Sequence, residues 1–417
     1  MRAVFVTTAA LAAVLSAFAA PTSNVPVSKY AGPVKTNSYI IKLKDGVSKD
    51  AHVNKLIAAF TAGGKVQYKY GQVFNGYAAN LQGKDLDFVR QSSEVEYILE
   101  DGIMTIDYEQ GDETTAFVAR EAPAVEGLEK RANGAGVDVY GIDTVSNRQL
   151  VLICINIDDG IGYLHRSLEL RWTCPLGCYF RWRTMPTRTA TATEPVSIYF
   201  PQKSNLDLHL HYPDTAGTAA GASYGVATSA NIIAVKVLSD SGSGTNSDVI
   251  AGINWAATQA RSSGRPSVAN LSLGGGASTA VDSAVSNAVA GGLHFAIAAG
   301  NSNVDAGSTS PARVAVANTV GAVDSSNRKA SFSNYGSVLD VWAPGVNILS
   351  AWIGGTTRTN TISGTSMASP RVAGYIAVRI GNSGGTPAAV SSALKSSARA
   401  VVTGAPSGTT NLLAQPF

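Results

Sequence analysis

Apolar and polar positions alternate at two different periods over residues 38–106, and each switch of period marks an element. The stretch "SYIIKLKDG" (38–46) alternates as a strand, "AHVNKLIAAF" (51–60) repeats its apolar residues at helical spacing, and "KVQYKYGQVFNGYAANL" (65–81) reads as a hairpin. "LDFVRQSSEV" (86–95) then predicts a helix and "EYILEDGIMTI" (96–106) a strand. Strand, helix, two strands, helix, strand is the order of a small ferredoxin-like α+β unit. It holds no cluster of His, Asp and Ser, so it reads as an accessory domain rather than a reaction centre. Residues 107–135 are polar and lack a period, the pattern of an exposed linker open to cleavage.

From Gly136 the pattern changes. The apolar runs "GVDVYGID", "ANIIAVKVL", "PSVANLSLG", "HFAIAAGN" and "VANTVGAV" have strand length, and "SDVIAGINWAATQARS" and "STAVDSAVSNAVAGG" have helical spacing. Such alternation predicts an α/β domain, a parallel sheet with helices on both faces. In these sheets chemistry collects at the carboxyl ends of the strands, where Asp143, Gly274 and Asn301 stand.

Composition narrows the partners. The chain has 417 residues, enough for a sizeable core, and its 45% hydrophobic content is that of a globular protein. A net charge of +3 with 15% charged residues is too mild for a nucleic-acid or membrane-surface binder, and both classes are set aside. The start, "MRAVFVTTAALAAVLSAFAA", places Arg2 before an apolar run and Ala17-Phe18-Ala19 after it, so residues 1–19 read as a signal peptide and the protein as secreted. The run is shorter than the ~20 residues of a membrane anchor. Secretion favours paired cysteines, yet there are three, Cys154, Cys174 and Cys178, all inside Val145–Asp214.

The sharpest chemical signal is "TISGTSMASPRVAGYIAV" (361–378), where Ser366 opens a small-residue helix with Pro370 expected in its first turn. A serine there is exposed beside N–H groups aimed at whatever it attacks; a helix-capping serine is the plainer alternative. The string "GTSMASP" resembles the nucleophile signature of the subtilisin-like serine proteases. The chain is similar to the secreted proteinase K-type subtilases of fungi over 136–144 and from 216 onward, and 38–106 resembles their inhibitory prodomain. The resemblance implies a secreted endopeptidase made as a zymogen, with residues 20–108 as propeptide and 109–417 as catalytic domain. The cut would fall near residues 107–121. It implies polypeptide substrates, the prodomain as intramolecular inhibitor, a monomer, and no cofactor for catalysis.

By the same resemblance Ser366 is the nucleophile, Asp143 in "VYGIDT" the triad aspartate, and Asn301 in "AIAAGNSN" the oxyanion-hole amide. Gly242, Ser243 and Gly244, with Ser272, Leu273 and Gly274, match the two edges that hold substrate as an added strand. Ala298, Ala299 and Gly300 match a pocket wall that tolerates bulky apolar side chains before the cleaved bond. Asp340 in "GSVLD", with the carbonyls of Ala315 and Ala317, matches a structural calcium site; a solvated loop aspartate is the alternative.

The base departs from the family. Counting back from Thr218, the catalytic histidine falls on His211 and the motif's second histidine on Asp214, but Tyr212 and Pro213 replace the motif's small residues. Pro213 disfavours helical geometry at Tyr212. The whole segment 145–214 lacks the family pattern. Val145-Ser146 and Val196-Ser197 can each be encoded by GTGAGT or GTAAGT, a common fungal intron start. Read from the third base of the Met185 codon, "MPTRTATATEP" (185–195) permits Ala-Asp-Thr-Asp-x-Asn-Gly-His-Gly-Thr, the missing motif, with its His codon spanning Ala192 and Thr193. Two retained introns around an out-of-frame exon would account for the segment and for its odd cysteine count. The literal chain, lacking the motif, is alternatively an impaired subtilase-like protein that binds peptides.

Overall fold

The computed structural model describes residues 24–106, 109–110, 117–118, 134, 136–144, 197–200, 213–239, 241–352 and 357–417. The signal-peptide reading, the three cysteines and His211 lie outside the described residues.

The N-terminal unit comprises β1 (Val27–Ser28), β2 (Val34–Leu43), α1 (Lys49–Ala59), β3 (Lys65–Tyr70), β4 (Gly76–Asn80), α2 (Lys84–Arg90) and β5 (Val95–Thr105). The sheet order is β1-β5-β2-β4-β3. The expected ferredoxin-like order is present, preceded by the extra strand β1. Alternation holds along β2, where Ile41 and Leu43 pack with Val53 and Leu56 of α1 in one apolar cluster. Ser48 caps α1 by accepting the Ala51 N–H. Helix α2 starts earlier than its apolar spacing suggests. The carboxylate of its second residue, Asp85, turns back to accept the N–H groups of Thr61, Ala62 and Gly64.

The second unit is built on a nine-stranded sheet. Its elements begin with β8 (Asp138–Thr144), β9 (Ser197–Phe200), α3 (Pro213–Ala220), β10 (Asn231–Leu238), β11 (Ser243–Thr245), α4 (Asn246–Ser263), β12 (Ser267–Leu271), β13 (Gly275–Gly276) and α5 (Thr279–Ala290). They continue with β14 (His294–Ala298), β15 (Thr309–Ser310), β16 (Asn318–Val323), β17 (Val341–Pro344), β18 (Ile348–Ala351), β19 (Thr359–Ser363), α6 (Thr365–Ser383), α7 (Pro387–Ser397), β20 (Arg399–Ala400) and β21 (Leu412–Leu413). The order is β20-β21-β17-β16-β14-β12-β8-β10-β9. The pairs from β10 through β8, β12, β14 and β16 to β17 are all parallel. Strands β12, β14 and β16 are buried along their whole length, as continuous apolar runs covered on both faces require. The short strands β6 (Glu109–Gln110) and β7 (Phe117–Val118) flank the β18–β19 hairpin.

Each face of the sheet has its own core. One packs α3, α6 and α7 through Ala219, Val372, Ile376, Val390 and Leu394. The other packs α4 and α5 through Val249, Ile253, Val281 and Val285, and this cluster continues into the N-terminal unit through Tyr70, Phe74 and Met104. Burying each of those large side chains contributes roughly 1.5–3 kcal/mol, so the two units share a core rather than merely touching. Polar contacts align them. Asp101 of β5 is fully buried and accepts the N–H and the hydroxyl of Ser247, at 2.9 and 2.7 Å, in the first turn of α4. Asn254 Oδ1 accepts the N–H groups of Gly71 and Gln72 at 2.9 and 2.8 Å.

Candidate active site

Helix α6 begins at Thr365 after Gly364, which supplies no side-chain cap, so Ser366 is the second helical residue and not a capping one. Pro370, the sixth helical residue, therefore lies inside the helix in its second turn, two residues deeper than the sequence suggests. Lacking an N–H, it leaves the carbonyl of Ser366 without its helical partner. The Ser272 hydroxyl takes that place, donating to the Ser366 carbonyl at 3.0 Å. Asn270 Nδ2 donates to Ser272 Oγ at 2.9 Å, and Ser369 Oγ donates to Asn270 Oδ1 at 2.7 Å. Ser366 Oγ itself donates to the Ser272 carbonyl at 3.3 Å. The carboxyl end of β12 and the first turns of α6 are thereby locked together.

Asn301 follows β14 by a short turn. Its Oδ1 accepts both the N–H and the hydroxyl of Thr365, each at 2.8 Å, which fixes the amide with Nδ2 as its donating end. The Thr365 hydroxyl also accepts the Gly300 N–H at 3.1 Å. Gly300 has φ +100°, and a Cβ there would collide with the amide of Asn334. That amide donates to the Ala299 carbonyl at 2.8 Å, while the Asn334 N–H donates to the Gly300 carbonyl at 2.9 Å. Thr365 and Asn334 were not singled out by sequence reasoning, and Asn270 stood out there only as the start of the 270–275 edge and of a formal glycosylation sequon. Thr365 could have been, because it adjoins Ser366 in the motif; Asn334, in an irregular loop, carries no signal of its own.

The two expected substrate edges stand on either side of a strand of the chain itself. The end of β5 lies antiparallel to β11, with Ser243 opposite Thr105 and Gly244 opposite Met104. Ile106 donates its N–H to the Gly242 carbonyl at 3.0 Å. On its other side Thr105 exchanges both backbone hydrogen bonds with Gly274, at 3.0 and 3.1 Å. Beyond Thr105 a cavity of about 270 Å³ opens, walled by Ser272, Leu273, Ala298, Ala299 and Gly300 and reaching Asn301 and Ser366. A larger one, about 340 Å³, lies at the opposite end of the strands beside Arg265 and His294 and touches none of these residues.

Asp143 is near the carboxyl end of β8, its backbone opposite Lys236 of β10. The described residues include two histidines. His52 bonds Glu94 and Tyr77 within the N-terminal unit, and His294 opens β14 at the end away from Asn301. Burial pushes His294 down to about 4, so it is neutral at pH 7. Asp214 heads α3 and is buried. Its backbone carbonyl accepts from Ser350 at 3.0 Å, but neither carboxylate oxygen has a hydrogen-bond partner among the described residues. Burial pushes this carboxyl well above the ordinary value of 3.8, against a smaller downward pull from the neighbouring Ser350 hydroxyl.

Asp340 does not offer an open cation site. One carboxylate oxygen accepts the Thr319 N–H at 2.9 Å and the other holds the Lys395 ammonium of α7 at 3.0 Å. With both oxygens engaged by N–H donors and an ammonium already balancing the charge, the residues present do not fit calcium. Among the described residues no group of three or more His, Cys, Asp or Glu side chains could hold a metal.

Residues 38–107 match Peptidase inhibitor I9, and residues 151–413 match the Subtilase family, a range that takes in His211 and Ser366 and begins after Asp143. A cuticle-degrading serine protease of Arthrobotrys oligospora is 35% identical over 422 residues, 96% of this chain and 95% of that protein. Proteinase R of Parengyodontium album is 37% identical over 84% of this chain and 81% of its own length. Subtilisin-like serine protease AsES of Sarocladium strictum is 36% identical, with 91% and 89% covered. Among solved structures, a cold adapted subtilisin-like serine proteinase is 40% identical with a TM-score of 0.51, over 68% of this chain and 90% of that one. The chain belongs to the subtilase family of serine endopeptidases and carries an inhibitor I9 domain ahead of its catalytic domain.

Proposed function

We propose that this protein is a secreted zymogen whose catalytic centre is Ser366, Asp143 and a histidine, with Asn301 as oxyanion donor and an apolar pocket before the cleaved bond. The observation that carries the reading is the extended β5 end paired on both sides, by β11 and Gly274, and running toward Ser366. A substrate held in the same way gains backbone hydrogen bonds whatever its sequence, which suits broad specificity. The apolar walls of Ala298 and Ala299 then supply the preference.

In this reading Ser366 Oγ attacks the carbonyl carbon while the histidine removes its proton, and Asp143 orients the imidazole and stabilises its cation. The developing oxyanion receives hydrogen bonds from Asn301 Nδ2 and from the Ser366 N–H at the positive end of α6. The histidine then gives its proton to the leaving amine. Water repeats the cycle on the acyl-enzyme. Cutting the linker after Ile106, near residues 107–121, separates inhibitor from enzyme.

For the base, His211 holds the family spacing in the chain as written, while the retained-intron reading places the true histidine across the Ala192 and Thr193 codons. The burial of the Asp214 carboxyl, which raises its pKa against the pull of Ser350 alone, supports the second, because a site shaped for a carboxylate would supply more donors. Sequencing the transcript decides it: an mRNA carrying the whole of 145–214 in frame would refute the intron reading. The function itself is tested on both versions of the chain by casein hydrolysis and a fluorophosphonate label. We expect labelling of Ser366 and its loss in Ser366→Ala. Activity of the literal chain that vanishes in His211→Ala would assign the base to His211, and an inactive, unlabelled intron-free chain would overturn the protease assignment.

A further inference from the structure

Residues 24–33 precede the segment that matches the inhibitor domain, yet they are tied to both halves of the molecule. The Val25 N–H donates to the Arg90 carbonyl at 2.7 Å, and β1 runs parallel to β5, with Val27 opposite Ile98 and Ser28 opposite Leu99. Glu100 of β5 then receives two donors from the segment, the Lys29 ammonium at 2.6 Å and the Tyr30 N–H at 3.1 Å. Pro33 accepts the Ile103 N–H at 2.9 Å, immediately before the residues that enter the cleft.

Tyr30 reaches beyond the N-terminal unit. Its hydroxyl donates to the carbonyl of Gly276 in β13 at 3.2 Å. Its ring lies over Gly102 of β5, where any Cβ would overlap it. A Cβ on Gly275 would come within 2.8 Å of the Tyr30 hydroxyl, and one on Gly276 within 2.8 Å of the Ala31 carbonyl. Three glycines, one on β5 and two on β13, thus leave a seat for one aromatic side chain. Gly275 and Gly276 continue the edge formed by Ser272, Leu273 and Gly274.

We propose that the Gly102–Gly275–Gly276 seat is a docking surface for Tyr30 and that residues 24–33 are a second inhibitory anchor, holding the β5 end in the cleft from outside the inhibitor domain proper. This rests on reading the groove between β11 and Gly274 as the substrate groove. The strand pairing blocks the groove, and Tyr30 fastens β5 to its rim. Two linked contacts dissociate far less readily than either alone, because each keeps the other at high effective concentration. Proteolytic trimming before Val34 would loosen the inhibitor without unfolding it.

The test uses the full chain with Ser366→Ala, which prevents self-cleavage, and follows amide hydrogen exchange by mass spectrometry. Tyr30→Ala removes one hydrogen bond and a packed ring, so exchange at 103–106, 242–245 and 273–276 should quicken by about tenfold. Exchange in β2 and β4 should stay as in the parent, and Tyr30→Phe should fall between the two. Unchanged exchange at the three cleft segments would overturn the proposal. So would equal loosening of β2 and β4, which would make Tyr30 a folding residue of the inhibitor domain alone. The readout needs no turnover, so an inactive Ser366-intact chain would count against the protease assignment and not against the anchor.

Discussion

Pro370 and Ser272 form a pair whose coupling can be measured. Ser272→Ala deletes the hydroxyl that donates to the Ser366 carbonyl and accepts from Asn270 Nδ2, leaving a buried acceptor and a buried donor unmatched. Each orphaned group costs about 1–3 kcal/mol, so the single substitution should cost about 2–6 kcal/mol. Pro370→Ala restores an N–H one turn after Ser366, where it can donate to that same carbonyl. In the Pro370→Ala background only Asn270 is orphaned, and Ser272→Ala should cost about 1–3 kcal/mol less. The assay is urea unfolding of full chains carrying Ser366→Ala, so that autolysis does not intervene, with unchanged slopes confirming the same transition. Additive costs, agreeing within ~0.5 kcal/mol in the two backgrounds, would refute the claim that Ser272 replaces the bond Pro370 removes.

Asn301→Ala should lower kcat on peptide substrates by about 10²–10³ with little change in KM, since its amide is proposed to act on the oxyanion; a change confined to KM would contradict that role. Lys395→Met should destabilise the fold by about 1–2 kcal/mol by stranding the buried Asp340 carboxylate; unchanged stability in urea unfolding would count against this. Burial raises the Asp101 carboxyl above its ordinary 3.8, against the pull of Ser247 and Ser38, with Asp248 reinforcing the rise. The joined units therefore bind a proton that the unfolded chain releases, so this group favours the folded zymogen below pH 3.8 and that benefit is lost as pH rises through the raised value. Asp101→Asn should flatten the fall in stability as pH rises above 3.8, and an unchanged pH slope would exclude Asp101 as its source.

Both architectures were legible in the sequence because their signals are periodic. Alternation along β2 and β5 and the unbroken apolar runs of β12, β14 and β16 report burial directly. Ser366 and Asn301 were legible through short strings placed at element ends. What escaped was the support around them. Asn270 and Asn334 act through amides whose partners are distant in sequence, and Asp101 reaches Ser247 across the unit boundary. Such long-range polar contacts leave no period. Pro370 looked like a first-turn proline because Ser366 reads as the residue that opens the helix, with Met367 the first residue inside it; the missing bond is compensated by Ser272 just after β12, which only the folded structure reveals. Tyr30 gave no signal, since one aromatic in a polar leader resembles a surface residue.

Strand β8 is flanked by β10 and β12, and every parallel neighbour ends on the same side. After Thr144 the next described element is β9, which lies antiparallel on the outer side of β10 at the sheet edge, before the chain opens α3. Closing a longer excursion there costs only about 0.6 kcal/mol for each doubling of its length. The scaffold is therefore nearly indifferent to how many residues join these two points. Insertions at this exit can persist in a folded chain at little thermodynamic penalty, which makes it a place where a gene's splicing errors or new specificity loops are exposed to selection on activity rather than on folding.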